Sequence, residues 1–260
     1  MAPSSPHDSG EMMAEEKKWL VEDIHRAAPD LTAIKKFSTG DRAGLRFKNF
    51  LQEYQTDLIL HAISKIGIEY YNGDDKAGGV VRKGKLGPNF FRFKDDHGEY
   101  FRRARIFEKI FEERILTLVN FFPRVQEVAS KAFALGHGVA EHQHRRMMNF
   151  TVRVLPEAPI HRDWMPGENT GLSFAPHLSD QFAWNIYLKT PESGGQTRIY
   201  KEQDPALANE RSEYVDVAPR VGELIIFRST QAHAVLPSNG ERLTLSGFFG
   251  ITPEKLLFWV

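Results

Sequence analysis

The secondary-structure signals of this chain change near residue 147, and this change is what most limits its possible folds. Before it, apolar residues recur at helical spacing over Trp19–Ile34, Leu45–Ile68 and Phe101–Phe133. After it, short β-branched or aromatic runs alternate with Pro, Gly and Asn turns, at 151–155, 181–188, 197–200, 222–227 and 243–249. Helices followed by many short strands predict an α+β fold. We expect a double-stranded β-helix, or jelly roll, with the N-terminal helices packed on one sheet.

The length of 260 residues fits one domain of this kind. Residues 1–16 are rich in Pro, Ser, Glu and Lys and are predicted to form a disordered tail. Residues 17–260 then form a single domain. Within it, 17–146 provide mainly helical support and a short strand or flap near 79–93, and 147–260 provide the jelly-roll core with the functional site.

Composition excludes several classes of function. Lys+Arg and Asp+Glu are both 34, so there is no basic excess of the kind that nucleic-acid binding needs. The absence of cysteine excludes disulfides, thiolate metal sites and cysteine nucleophiles. Neither a signal sequence nor a run of about 18 apolar residues is recognisable, which predicts a cytoplasmic protein without a membrane partner. The composition is compatible with a monomer or a homodimer.

Three residues in the strand-rich part form a candidate metal site. His161 and Asp163 are two residues apart at an expected strand end, so their side chains leave the same face. His233 follows another expected strand and can complete the set. A lone His-x-Asp pair is more often a solvated turn. Two imidazoles and one carboxylate with open positions, however, suit iron(II) better than a closed zinc site.

Arg242 lies nine residues beyond His233 and suggests an anionic cosubstrate beside the metal. The turn signal at 237–240 would place His233 and Arg242 on two arms of a hairpin, both facing the interior. A planar guanidinium binds a carboxylate bidentately. The alternative is a surface ion pair with Glu241 or Glu223.

Residues 147–260 resemble the iron(II), 2-oxoglutarate-dependent oxygenases. The resemblance rests on the metal-type residues and on three further segments, Leu178–Gln181, Thr190–Tyr200 and Gly247–Trp259. These segments are most similar to those of carrier-independent indole-alkaloid halogenases and of their hydroxylase relatives that act on N-acylated amino acids.

The resemblance implies a site for iron(II), 2-oxoglutarate and dioxygen. His161, Asp163 and His233 would be the catalytic metal ligands, and Arg242, Tyr187 and Asn185 would bind the cosubstrate. The halogenases have glycine where this chain has Asp163, so hydroxylation of an unactivated carbon of a small molecule is favoured over chlorination. The alternatives are a halogenase-like outcome, desaturation or epimerisation at the same site, and a non-catalytic jelly-roll binding protein.

The substrate side is less defined by the sequence. Candidate segments are 164–174, 78–93 and 258–259, and Arg82 and Arg92 could recognise an acidic substrate, although solvated loop charges are the simpler interpretation. His142 and His144 are interpreted as polar surface residues.

Overall fold

The computed structural model describes residues 19–24, 31–74 and 80–260, so the expected tail at 1–16 lies outside the described residues. The helices in the described part are α1 (Leu31–Ser38), α2 (Glu53–Ile66), α3 (His97–Phe111) and α4 (Phe122–Phe133). The strands of the first half are β1 (Val21–Ile24), β2 (Gly44–Phe47), β3 (Glu69–Asp74), β4 (Val80–Leu86), β5 (Gly136–Val139), β6 (Glu141–His142) and β7 (Arg145–Arg146). The strands of the second half are β8 (Thr151–Val154), β9 (Ala158–His161), β10 (Asp180–Lys189), β11 (Ser193–Gly194), β12 (Thr197–Tyr200), β13 (Tyr214–Val217), β14 (Leu224–Arg228), β15 (His233–Val235), β16 (Ser238–Asn239), β17 (Leu243–Ile251) and β18 (Lys255–Trp259).

Two sheets form the core. The larger sheet has the order β1-β2-β14-β10-β17-β8-β4-β3, with β18 beside β17 and β5 beside β18. The smaller sheet has the order β13-β12-β15-β9. Because the chain passes repeatedly from one sheet to the other, this is the expected α+β jelly roll, and the fold prediction is confirmed.

The helices cover the outer face of the larger sheet because β10, a central strand, presents large apolar side chains on that face. Trp184 and Phe182 of β10 point outward and are fully buried. Trp184 packs against Phe122 at the start of α4, with ring centroids 6.0 Å apart. Phe182 packs against Phe37 of α1 and Phe133 of α4 at 5.4 and 4.8 Å. Burial of such aromatic side chains contributes roughly 1.5–3 kcal/mol each before entropy is counted, and it holds the helices on this side.

The first expected helix is wrong over part of its length. Val21–Ile24 is a strand that pairs in parallel with β2 at the edge of the larger sheet, and of the residues that the structure describes between 19 and 43, those at 31–38 are helical. Gly44–Phe47 is likewise a strand, paired with β14, rather than the beginning of the second helix. The apolar periodicity of a segment carries no information about a strand that pairs with it from a distant part of the chain.

The expected helix over Phe101–Phe133 is two helices. α3 continues into one π-helical turn, Glu112–Leu116, and α4 begins at Phe122 with Pro123 in its first turn. Proline has no amide hydrogen to donate and disfavours helical geometry in the residue before it, so it starts a new helix more readily than it continues one.

Candidate functional site

The three candidate metal ligands, His161, Asp163 and His233, lie where two strands of the smaller sheet meet. His161 ends β9 and His233 begins β15, and the two are register partners in the antiparallel pair. Asp163 follows β9 and is held by its backbone, since its amide donates to Ser229 O at 2.8 Å and its carbonyl accepts from Ser229 Oγ at 3.1 Å. Residues that are distant in sequence are thereby fixed by strand pairing and not by a flexible loop.

The side chains converge on one point. The Asp163 Oδ2 atom lies 3.4 Å from His233 Nε2 and 3.9 Å from His161 Nε2. One ligand atom from each residue lies within 4.8 Å of the other two. The spacing matches what three ligands of one ion require, and among the described residues no other group of three His, Asp or Glu side chains meets this criterion.

Both imidazoles are oriented by their other nitrogen. His161 Nδ1 lies 2.7 Å from Pro159 O, and His233 Nδ1 lies 2.9 Å from Gln231 O. Because a carbonyl can only accept, each Nδ1 carries the hydrogen that is donated. In the neutral ring, Nε2 is then the lone-pair nitrogen, and it faces the shared point, as a metal ligand must.

The electrostatics keep His161 and Asp163 in their ligand forms. Burial, with the neighbouring His233, lowers the pKa of His161 to about 4, so its ring is neutral near pH 7. Burial alone would raise the pKa of Asp163, but interactions with His233 and with His161 outweigh it and hold that pKa below its usual value. A neutral imidazole and an ionised carboxylate are what a divalent metal needs. The residues therefore fit an iron(II) ion.

Arg242 lies in the same cavity and is buried, with 2% of its surface exposed. Its Nε donates to Gly195 O and its Nη2 to Thr197 Oγ1, both at 3.1 Å. No carboxylate of the described residues lies within ion-pair distance of it. The surface alternatives are excluded, because Glu241 pairs with Lys189 and Glu223 lies beside Arg46.

The expected hairpin between His233 and Arg242 is wrong. His233 is on β15 of the smaller sheet, whereas Arg242 immediately precedes β17 of the larger sheet. The connection crosses between the sheets and pairs with β11 on its way, through β16. At Gly194, whose φ is +75°, a Cβ would lie 2.0 Å from Pro237 O, so this close crossing requires glycine.

The two remaining predicted cosubstrate residues occupy different positions. Asn185 lines the cavity, and its Oδ1 accepts a 2.7 Å hydrogen bond from Ser246 Oγ. Tyr187 lies behind the cavity wall, where the Arg242 guanidinium is 5.1 Å from its ring and its hydroxyl is 3.1 Å from Thr197 Oγ1. The structure thus brings Asn185 to the cavity and Tyr187 to Arg242.

Arg153 was not predicted from the sequence, and it lines the cavity beside His161, Asp163 and His233. It is half-buried in the middle of β8, between Val152 and Val154, which are buried on the opposite face. Burial lowers the pKa of its guanidinium, and Asp163 acts in the opposite direction. The alternation of this charged residue with two buried valines places its side chain on the inner face of β8, but the sequence does not show whether the guanidinium has a partner there.

A wider cleft adjoins this cavity and shares Arg153, His161 and Asp163 with it. It encloses about 1100 Å³ including its open mouth, and the segment 83–92 forms one wall. Of the substrate segments expected from the sequence, this one lines the cleft. The segments 164–174 and 258–259 line neither cavity, and Trp259 is fully buried in the core.

His142 is not the surface residue that the sequence suggested. It is 6% exposed, its Nδ1 accepts from the Ser173 amide at 3.1 Å, and its ring lies 5.2 Å from that of His97. The aromatic cluster that α3 brings over this strand buries it. His144 is exposed, as expected.

Residues 153–250 match the family model described as the 2OG-Fe(II) oxygenase superfamily. The chain is 30% identical over 116 residues to the L-gamma-glutamyl-L-propargylglycine hydroxylase of Streptantibioticus cattleyicolor. The aligned region covers 38% of this chain and 43% of that protein. The chain therefore spans less than half the length of this curated relative. The sequence resemblance to the oxygenases is confirmed.

Solved structures agree on the fold. A novel N-substituted L-amino acid dioxygenase from Burkholderia ambifaria AMMD gives a TM-score of 0.60 at 12% identity, covering 88% of this chain and 91% of that one. The same dioxygenase in complex with alpha-KG gives 0.59 at 14% identity, covering 88% and 90%. An oxidoreductase of the 2OG-Fe(II) oxygenase family from Burkholderia pseudomallei gives 0.53 at 13% identity, covering 90% and 97%. In the part of the chain described above, no helix has the length and apolarity to cross a bilayer.

Proposed function

We propose that this chain, residues 153–250 of which match the 2OG-Fe(II) oxygenase superfamily, is an iron(II)- and 2-oxoglutarate-dependent dioxygenase. It would hydroxylate an unactivated carbon of a small molecule, such as an amino-acid derivative. One oxygen atom of dioxygen goes to that carbon and the other to succinate, with release of carbon dioxide. The observation that carries the proposal is that one cavity holds both a three-ligand metal set and a buried arginine that has no acid partner among the described residues.

His161, Asp163 and His233 would hold the iron. The three side chains approach from one side, which leaves the opposite coordination positions open to the cavity. When bound, the iron supplies the oxygen-activating chemistry that protein side chains lack. The contribution of the chain is to present two imidazoles and one carboxylate without rearrangement, because strand pairing and carbonyl contacts already orient them.

Arg242 would bind the far carboxylate of 2-oxoglutarate. Its low exposure makes a charge-assisted bond to a carboxylate strong, since little water competes there. Asn185 would contribute its amide hydrogens from the cavity wall. Tyr187 would act through Arg242, because its hydroxyl and the guanidinium share the Thr197 hydroxyl.

Hydroxylation is the outcome we favour. Asp163 occupies the position at which the halogenases that this sequence resembles have glycine, so the third protein ligand leaves no place for chloride. We further infer a cytoplasmic enzyme that acts as a monomer or homodimer, without nucleic-acid or membrane partners. The equal numbers of basic and acidic residues, 34 each, support the part of this inference that concerns nucleic acid and anionic membranes.

Anaerobic mixing of the protein with iron(II) and 2-oxoglutarate tests the proposal. Chelation of the iron by the keto acid is expected to give a visible charge-transfer band. His233→Ala should abolish the band, whereas His144→Ala, at an exposed histidine outside the cavity, should leave it unchanged. Absence of the band in the unmodified protein would refute the enzyme proposal and favour a non-catalytic binding protein.

A further inference from the structure

The cleft that opens onto the metal-type residues is basic. Four of its lining residues, Lys83, Lys85, Arg92 and Arg153, are cationic, and Asp163 is the acid among them. Lys85 pairs with Glu69 at 3.6 Å across β3 and β4. Arg92 is exposed at the outer wall, with its guanidinium 3.9 Å from the centre of the Tyr71 ring. The positive charge therefore extends from the entrance to Arg153 at the base.

Arg153 differs from the other three in lining both the cleft and the inner cavity. The register places it beside Lys85 of β4 and Thr244 of β17, on the face that looks into the barrel. No acceptor among the described residues lies within hydrogen-bond or ion-pair distance of its guanidinium. A half-buried arginine without a partner retains its full capacity to bind an anion, and its desolvation has already taken place in the folded chain.

The charges of the inner cavity also favour an anionic ligand. Among the side chains that line this cavity, Arg153 and Arg242 contribute two positive charges and Asp163 one negative charge. An iron(II) ion and a 2-oxoglutarate dianion cancel each other. One positive side-chain charge then remains in a partly buried space, and this charge favours a monoanion over a neutral ligand.

We propose that Arg153 binds a free carboxylate of the substrate and holds the substrate at the junction of the cleft with the metal cavity. This inference rests on the proposed function and specifies its substrate class: a carboxylic acid that enters unesterified, not an amide, an ester or a carrier-bound thioester. Arg92 attracts the same carboxylate at the entrance, with a smaller effect because it is exposed to solvent. Arg153 is thus a specificity-determining residue.

The main competing assignment is that Arg153 binds 2-oxoglutarate. Arg242 is better suited to that ligand, since it lies only in the inner cavity and is the more deeply buried. The experiment must nevertheless separate the two, because Arg153 borders both spaces.

Matched pairs of N-acetyl-L-amino acids and their primary amides, with aliphatic and aromatic side chains, provide the probe. Binding to the anaerobic protein loaded with iron(II) and 2-oxoglutarate is measured by calorimetry, and stimulation of succinate release is measured in air. At least one acid is expected to bind roughly tenfold or more tightly than its amide. Arg153→Gln should remove this preference, Arg153→Lys should restore part of it, and the Kd of 2-oxoglutarate should change less than threefold in both.

Arg82→Gln is the matched control, because Arg82 is exposed on the same sheet, over the Tyr70 ring, and outside the cleft. It should keep the preference for acids. The inference is overturned if amides bind as well as acids, if no acid binds to protein that binds iron and 2-oxoglutarate, or if Arg153→Gln weakens 2-oxoglutarate and not the acids. Failure of the wild-type protein to bind iron and 2-oxoglutarate would instead refute the proposed function.

Discussion

Replacing Arg242 with glutamine separates two roles of this residue, in cosubstrate binding and in folding. In the folded chain the guanidinium is 2% exposed, donates to Gly195 O and Thr197 Oγ1, and has no acid within ion-pair distance among the described residues. Glutamine retains a hydrogen-bond donor and loses the charge. We therefore expect a large effect on 2-oxoglutarate binding and a small effect on the stability of the cofactor-free protein.

The magnitudes follow from the lost contacts. A hydrogen bond to a charged group contributes about 1.5–3 kcal/mol, so the Kd of 2-oxoglutarate should rise about 10- to 150-fold. In the cofactor-free protein, the loss of two hydrogen bonds is offset by removal of a buried unpaired cation, and the free energy of unfolding should change by about 1 kcal/mol or less. At a ligand concentration 100 times the wild-type Kd, 2-oxoglutarate should stabilise the wild type by about 2.7 kcal/mol and the variant by about 0.3–1.4 kcal/mol.

The assay is an anaerobic titration of the charge-transfer band, combined with urea unfolding with and without iron(II) and 2-oxoglutarate. Arg198→Gln is the matched control, since Arg198 pairs with Asp216 at 2.7 Å on the outer side of β12. It should leave the Kd unchanged. An Arg242→Gln variant that binds 2-oxoglutarate like the wild type would contradict the assignment of the cosubstrate site.

Three further outcomes test other parts of the structure. Tyr187→Phe removes a hydroxyl that lies 3.1 Å from Thr197 Oγ1, and it should raise the Kd of 2-oxoglutarate about 2- to 13-fold, measured by the same titration. Gly247→Ala would bring a Cβ to 2.8 Å from a backbone oxygen and 2.9 Å from an indole ring, and urea unfolding should show a loss of about 1–3 kcal/mol, whereas Gly136→Ala, with no atom within 4 Å, should be near neutral. Burial opposes ionisation of Asp23, but two basic neighbours lower its pKa from 3.8 to about 2, so its stabilisation is present above pH 4 and is lost as the pH falls through 2. Unfolding of Asp23→Asn should therefore depend less on pH in this range, by about 1 kcal/mol after solvent screening, and an unchanged slope would argue against the ion pairs.

Local sequence patterns predicted the fold class and the strands β8, β10, β12, β14 and β17 of the second half. The runs at 181–188 and 243–249 correspond to β10 and β17, because alternation of side chains along a buried strand is a property of the strand itself. The same alternation placed Asn185 on the cavity side and Trp184 under α4. What failed was the segment at 21–24, whose strand conformation depends on pairing with β2, twenty residues further along the chain.

The residues of the candidate site also differ in whether local sequence patterns predict them. His161 and Asp163 are separated by one residue, so the alternation of side chains along a strand brings them to one face. His233 joins them because it is the register partner of His161 in the neighbouring antiparallel strand. The role of Arg153 could not be predicted from residue spacing, because it depends on the absence of a hydrogen-bond or ion-pair partner for the guanidinium among the described residues. A charged residue in a strand is unremarkable until every acceptor around it has been located, and only the assembled walls of β4, β8 and β17 show that none of the described residues meets its guanidinium. Residues that bind through pairing within the chain can thus be anticipated from spacing, whereas a residue kept unpaired for a ligand becomes visible only when the folded surroundings are known.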